Sequence, residues 1–162
     1  MKRTPLKRKT PLKSNGCKLK RTPFKVKPKP KLVAAVKCID LVQQLDKVFS
    51  QFIRLRDAGK DGYTKCISCG SYFKPELIQA GHYFSRRHMA TRWDEDNVHA
   101  QCVFCNCHQH GNLKEYKPNL IEKIDQANFA RLEIASKTIK HWSAEELKIL
   151  IKYYTAKVKW LS

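Results

Sequence analysis

Cys66-Ile67-Ser68-Cys69-Gly70 and Cys102-Val103-Phe104-Cys105 decide how this chain is read: they are two Cys-x-x-Cys pairs with 32 residues between them. Two residues between ligands let one tight turn aim both thiolates at a single ion, and a second such turn completes a tetrahedron. A lone pair fits a redox motif equally well, but two pairs in one small domain point to a structural zinc on Cys66, Cys69, Cys102 and Cys105. The separation is longer than in a zinc ribbon, so a segment is inserted between the knuckles. Of the other cysteines, Cys107 is a rival for one ligand position, Cys38 reads as an ordinary buried helix residue, and Cys17 lies in a basic N-terminal arm. Seven cysteines, an odd number, argue for metal ligands rather than a disulfide framework.

The inserted segment carries Ala80-Gly81-His82-Tyr83-Phe84-Ser85-Arg86-Arg87 and then Asp94-Glu95-Asp96-Asn97-Val98-His99. The second pair runs on into Asn106-Cys107-His108-Gln109-His110-Gly111-Asn112-Leu113. A single histidine in such a setting is more often structural than catalytic; here five of the six fall between 82 and 110. Hydrolysis of a phosphodiester needs a base for the attacking water, a divalent cation to neutralise developing charge, and a cation near the phosphate. His82 can be the base. Asn106 and His108 can offer an oxygen and a nitrogen to a Mg²⁺-like or Mn²⁺-like ion, and Arg86 and Arg87 can clamp phosphate.

Outward from this segment the pattern turns helical. Val36, Leu41, Leu45, Val48, Phe49, Phe52 and Ile53 recur at spacings of three to five, predicting an amphipathic helix within 32–58 that stops near Gly59. Residues 63–102 carry glycine, proline, aromatic and cysteine punctuation without a helical period, which predicts short strands and loops. A helix is predicted to open near Cys105, with one or two more after Pro118 on Leu120, Ile121, Ile124, Phe129, Leu132 and Ile134. Ser143 followed by Glu146 is a capping box, and Leu147, Leu150, Ile151, Tyr154 and Val158 give the next helix an apolar face.

Charge is distributed unevenly. The formal net charge is +19, from 33 basic and 14 acidic residues, and a field of that sign concentrates polyanions. Residues 1–31 hold 13 of the basic groups, no acid and most of the prolines, in near-repeats of Lys-Arg-Thr-Pro type. With so few apolar groups to offset ordering entropy, this stretch is predicted to be a disordered arm that follows a phosphate backbone through Lys2, Arg3, Lys7, Arg8, Lys9, Lys20 and Arg21. A solubilising tail is the plainer alternative. No run of 18 apolar residues occurs, and the N-terminal cations precede no apolar stretch, so neither a spanning helix nor secretion is expected.

The order of these pieces resembles the His-Asn-His, or ββα-metal, nucleases. More specifically, Cys-Ile-Ser-Cys-Gly, Ala-Gly-His-Tyr, Asn-Val-His-Ala-Gln-Cys-Val-Phe-Cys-Asn-Cys-His and Gly-Asn-Leu-Lys-Glu-Tyr are similar to the phage NinG (Rap) recombination proteins. The resemblance covers about residues 45–160 and is most specific across 63–116. It implies a Holliday-junction or D-loop endonuclease working in phage recombination. In phage endonuclease VII an asparagine likewise follows the last zinc cysteine, as Asn106 follows Cys105. The resemblance makes Asn97 the residue that braces the histidine-bearing loop, although it can equally be a local turn former. Gly81 departs from the pattern, because those nucleases place an acid or histidine metal ligand there. His82 itself, His108, His99 or Asp96 are the candidates to replace it.

The expectation is therefore a mainly helical α+β chain: a small zinc-bound ββα insert at 63–116, flanked by helices at 32–58 and 117–162, behind a basic arm at 1–31. Its expected activity is metal-dependent cleavage of branched DNA in the host cytoplasm, with structural Zn²⁺ and catalytic Mg²⁺ or Mn²⁺. Symmetric resolution of a four-way junction needs two active sites, which makes a homodimer attractive. The alternatives are a non-catalytic zinc module that binds branched or single-stranded nucleic acid, and an RNA-binding protein.

Overall fold

A computed structural model describes residues 32–162, with side chains from residue 40 onward. The expectations placed on Lys2, Arg3, Lys7, Arg8, Lys9, Lys20, Arg21, Cys17 and the Cys38 side chain lie outside the described residues.

Helix α1 spans Leu32–Arg56 and helix α4 spans Ala144–Leu161. Leu45, Phe49, Phe52 and Ile53 recur on one face of α1 and are buried together with Leu147 and Tyr154 of α4. The Phe49 and Tyr154 rings meet edge to face with centroids 4.8 Å apart. Each such side chain contributes about 1.5–3 kcal/mol through removal from water, so this pair of helices is the main apolar framework. The predicted capping box opens α4: Ser143 Oγ accepts from Glu146 N, and a Glu146 carboxylate oxygen accepts from Ser143 N.

Between those helices lie two small antiparallel sheets. Strand β1 (Thr64–Lys65) pairs with β2 (Tyr72–Phe73), and β3 (Ile78–His82) pairs with β4 (Val98–Cys102). In the second sheet Ala80 faces Ala100, Gly81 faces His99 and His82 faces Val98. Every residue of β4 is buried. Its outer edge is closed by the Ile67 N–H, which donates to the Ala100 carbonyl at 2.9 Å, and by Asp57, which accepts from the Ala100 N–H at 2.8 Å. Burial opposes ionisation of Asp57, but Arg56, Lys123 and that N–H outweigh it and hold the carboxyl below its ordinary range. Among the described residues β3 has no second strand partner, so its far edge is free.

The fold is thus mainly helical with small sheets. Two boundaries differ from expectation. No continuous helix opens at Cys105; a single π-helical turn covers Phe104–His108 and the chain then breaks. The break is a run of positive φ at His110, Gly111 and Asn112 (49°, 92° and 40°), which no α-helix can contain. Helix α2 starts beyond it and spans Leu113–Ile124, so Pro118 lies inside the helix rather than before it. Proline forfeits one backbone hydrogen bond there. Tyr116 and Leu120 on either side of it are fully buried, and the Tyr116 hydroxyl donates to the Gly81 carbonyl of β3 at 2.9 Å. Helix α3 (Gln126–Ser136) follows, its first turn capped by Asp125, and its Phe129 and Leu132 join Tyr116, Leu120 and Ile124 in a second core.

Candidate metal centre and cleft

The four paired cysteines converge. Their sulfurs all lie within 4.8 Å of one another. The first knuckle is a turn from β1 in which the Gly70 N–H donates to the Cys66 carbonyl at 2.9 Å, with Gly70 at φ 75°. The second begins at the end of β4 and enters the π-helical turn. Four sulfurs around a zinc ion at the usual bond length stand about 3.8 Å apart; Cys69 Sγ and Cys102 Sγ are 3.9 Å apart, far beyond a disulfide. The Cys102 and Cys105 N–H groups point at Cys66 Sγ and Cys102 Sγ (3.3 and 3.4 Å), as they do around metal-bound thiolates. Burial pushes the Cys66 thiol up and the Cys105 thiol to about 12, so without a cation these two sulfurs stay protonated, whereas at Cys69 burial is outweighed by hydrogen bonds from Ser71 that bring the thiol down to about 6. A divalent ion would supply the compensating charge, and the four-sulfur donor set fits zinc. Cys107 is not part of the cluster; its exposed thiol lies 3.4 Å from Gln79 Oε1.

A cleft of about 570 Å³ opens beside the free edge of β3, walled by α1 on one side and by the turn after Cys105 on the other. His82, Arg86 and Asn106 all line it, together with Asp46, Gln79 and His110. His82 Nε2 is 3.0 Å from the Arg92 carbonyl oxygen. A carbonyl can only accept, so the ring's hydrogen belongs on Nε2 and the lone pair on Nδ1. Burial pushes this imidazole down to about 4, and the Arg86 and Arg92 charges add to the fall. It is therefore neutral near pH 7. Asn106 Nδ2 donates to Gln79 Oε1 at 2.7 Å, which leaves Asn106 Oδ1 as the oxygen available to the cleft.

Asn97 is fully buried and ties together the loop that links β3 to β4. Its Oδ1 accepts from Phe84 N at 2.8 Å, and its Nδ2 donates to the Phe84 and Thr91 carbonyls at 3.0 and 2.8 Å. Through these bonds Asn97 fixes both ends of the segment that contains Arg86. His108 and Arg87 are not brought into the cleft: both are exposed, and the His108 ring lies beside that of Phe104. His110 takes the cleft position that spacing had suggested for His108, because the left-handed run at 110–112 redirects the chain. His99 is buried with no partner for Nδ1, and Asp96 is held by Arg131, so neither lines the cleft.

The sequence model of a family described as Bacteriophage Lambda NinG protein matches residues 3–162. The chain belongs to the NinG family. Curated relatives include the proteins named Protein ninG from Salmonella phage P22, 37% identical over 119 residues, and from Escherichia phage lambda, 38% identical over 120. Each alignment covers 73% of this chain, and 56% and 55% of the two relatives. The chain thus spans about half the length of the curated relatives it matches. No solved structure matches. In this NinG chain Asp46, Gln79, Arg92 and His110 stand at or beside the cleft without a motif in the sequence that marks them. Asp46 stands among the polar residues of an amphipathic helix, and nothing local marks it as facing a site 36 positions away. His110 was visible only as one member of a histidine cluster. Among the described residues no helix is long and apolar enough to cross a membrane.

Proposed function

We propose that this NinG chain is a metal-dependent endonuclease for branched DNA, with His82 as the base. One observation carries the reading: a half-buried, neutral imidazole, with its Nε2 hydrogen committed to a carbonyl, lines a cleft that also holds Asn106 and Arg86. His82 Nδ1 accepts the proton of the attacking water. Arg86 offers its guanidinium to the phosphate. Asn106 Oδ1 is the ligand assigned to a catalytic Mg²⁺ or Mn²⁺, hard ions that prefer oxygen; when bound, the ion neutralises charge on the phosphate oxygens. For a nitrogen ligand the cleft favours His110 over His108. The four-cysteine site holds β1, β4 and the turn bearing Asn106 in register and takes no part in proton transfer. The basic arm adds phosphate contacts that carry no shape selectivity.

A second reading has a specific observation behind it. Gln101 fills the space beside Gly81 where an acidic ligand would stand, so the cleft lacks that carboxylate. A zinc module that binds branched DNA without cutting it would tolerate this. A panel of duplex, flap, D-loop and four-way DNAs, incubated with Mg²⁺ or Mn²⁺, separates the two. Nicks that require the divalent ion and vanish in His82→Ala support the nuclease. Tight junction binding with no product under any metal overturns it in favour of the binder.

A further inference from the structure

The cleft residues are not held by the hairpin alone. Asp46, on α1, accepts from Arg92 Nε at 3.0 Å and from the Trp93 indole N–H at 2.9 Å through one oxygen, and from Arg92 Nη2 through the other. Arg92 in turn donates from Nη1 to the Arg86 carbonyl at 3.0 Å, while its own carbonyl takes the His82 Nε2 hydrogen. One residue thus touches the proposed base through its backbone and the proposed phosphate clamp through its side chain. Its guanidinium is fixed to the helix framework by a two-point ion pair, a geometry that arginine supplies and lysine does not. The ion pair is largely shielded, with side-chain exposures of 17% for Arg92 and 21% for Asp46.

We infer that the Asp46–Arg92 ion pair is the positioning device of the cleft, setting which His82 nitrogen carries the hydrogen and where the Arg86 backbone stands. This inference rests on the nuclease reading for its catalytic consequence but not for its structural one. The physical reason is leverage. The loop from 83 to 97 has no strand or helix of its own, so the carbonyl at 92 stays where His82 needs it only if something rigid holds it. Asn97 secures Phe84 and Thr91; Asp46 secures Arg92 and Trp93 from the opposite side, against α1. Without the pair, the imidazole loses its fixed acceptor, both tautomers become populated, and the ring reaches water. The charges acting on His82 are Arg86 and Arg92, which disfavour its cation, and Asp46, which favours it. Substituting Arg92 by a neutral residue lets water reach the ring and removes one charge that disfavours its cation, and these two effects raise the His82 midpoint against the smaller opposing loss of the carbonyl acceptor.

The test uses the full zinc-loaded chain and three variants: Arg92→Ala, Arg92→Lys and Asp46→Asn. Nitrogen-15 imidazole spectra report the His82 tautomer and midpoint without any cleavage. In the wild type His82 is expected as the Nε2–H tautomer with a midpoint near 4. Arg92→Ala should raise that midpoint toward the ordinary value, and Arg92→Lys, which keeps the charge but loses the fork, should give mixed tautomers. Single-turnover cleavage should fall between about 10- and 100-fold in Arg92→Lys, with half-saturating DNA concentration and zinc content near wild type. If either Arg92 variant fails to fold, Asp46→Asn carries the tautomer and rate measurements from the other half of the pair. A folded variant with unchanged His82 tautomer and unchanged rate overturns the inference while leaving the nuclease intact. A wild type that cuts nothing, yet whose variants lose the tautomer, sinks the nuclease reading and upholds the positioning role.

Discussion

Gly81 faces His99 in the sheet, and a Cβ built on it would lie 2.2 Å from Gln101 Oε1 and 2.7 Å from Gln101 Cβ. Gln101 cannot yield easily: it is fully buried, and its Nε2 donates to Ser68 Oγ and the Gly111 carbonyl at 2.7 and 2.6 Å. Gly81→Ala should therefore destabilise the fold by about 1–3 kcal/mol, and a Gly81→Ala/Gln101→Ala double variant should recover part of that loss. Urea denaturation of the four proteins in the cycle measures it; additive single effects would show that the two side chains do not compete for this space. At the same scale, His82→Ala should slow cleavage by about 100-fold or more while zinc content and junction affinity stay near wild type. Were His82 only a packing residue, its loss would lower the melting temperature and leave the rate of the folded fraction alone. Both expectations concern side chains that the sequence singled out, yet Gly81 read there as a missing ligand. The structure gives a steric reason for its size instead.

The knuckles belong to the element scale. Three of the five buried residues in the small core between β1, β3 and β4 are cysteines, alongside Ile78 and Ala100, with the half-buried Phe73 packed against them. That is little apolar surface to hold two short sheets, so a metal held by the four cysteines would supply much of the local stability. Changing any of Cys66, Cys69, Cys102 or Cys105 to serine should abolish stoichiometric zinc and expose the amides of β3 and β4 to hydrogen exchange. Cys107→Ser should keep one zinc per chain by elemental analysis, since its sulfur lies outside the cluster. The strand-and-loop character of 63–102, the stop of α1 and the capping box of α4 were all legible, because each depends on neighbours within a few residues. The start of α2 was not. Pro118 looked like a boundary, but burial of Tyr116 and Leu120 outweighs the hydrogen bond that proline forfeits, and that burial depends on Phe129 and Tyr83 from elsewhere in the chain.

On the scale of the whole molecule, protonation should couple the cleft to stability. Burial depresses His82 to about 4 and His99 to about 3, both below the ordinary histidine value. A depressed histidine binds its proton more readily when unfolded, so the native state is undisturbed above about pH 6.5 and loses stability as pH falls below it. For His82 the loss approaches about 3 kcal/mol by pH 4. Urea unfolding at pH 7 and pH 5 should show the decline, and His82→Ala should make it shallower; an identical slope in that variant would remove His82 from the linkage. Binding should scale with charge in the same global way. Deleting residues 1–31 should lower the slope of log affinity against log salt by about 0.9 for each phosphate that the arm neutralises, with preference for branched DNA retained. An unchanged slope would make the arm a solubilising tail. By itself the sequence determined the pairing of the four cysteines, the helical frame and the basic character of the chain, since spacing, periodicity and charge are properties of neighbouring residues. Only the tertiary structure decided that His110 rather than His108 lines the cleft, that Gln101 occupies the space beside Gly81, and that Asp46 reaches across to Arg92. Those three depend on left-handed backbone, on strand register and on helix packing, which bring together groups that no local pattern connects.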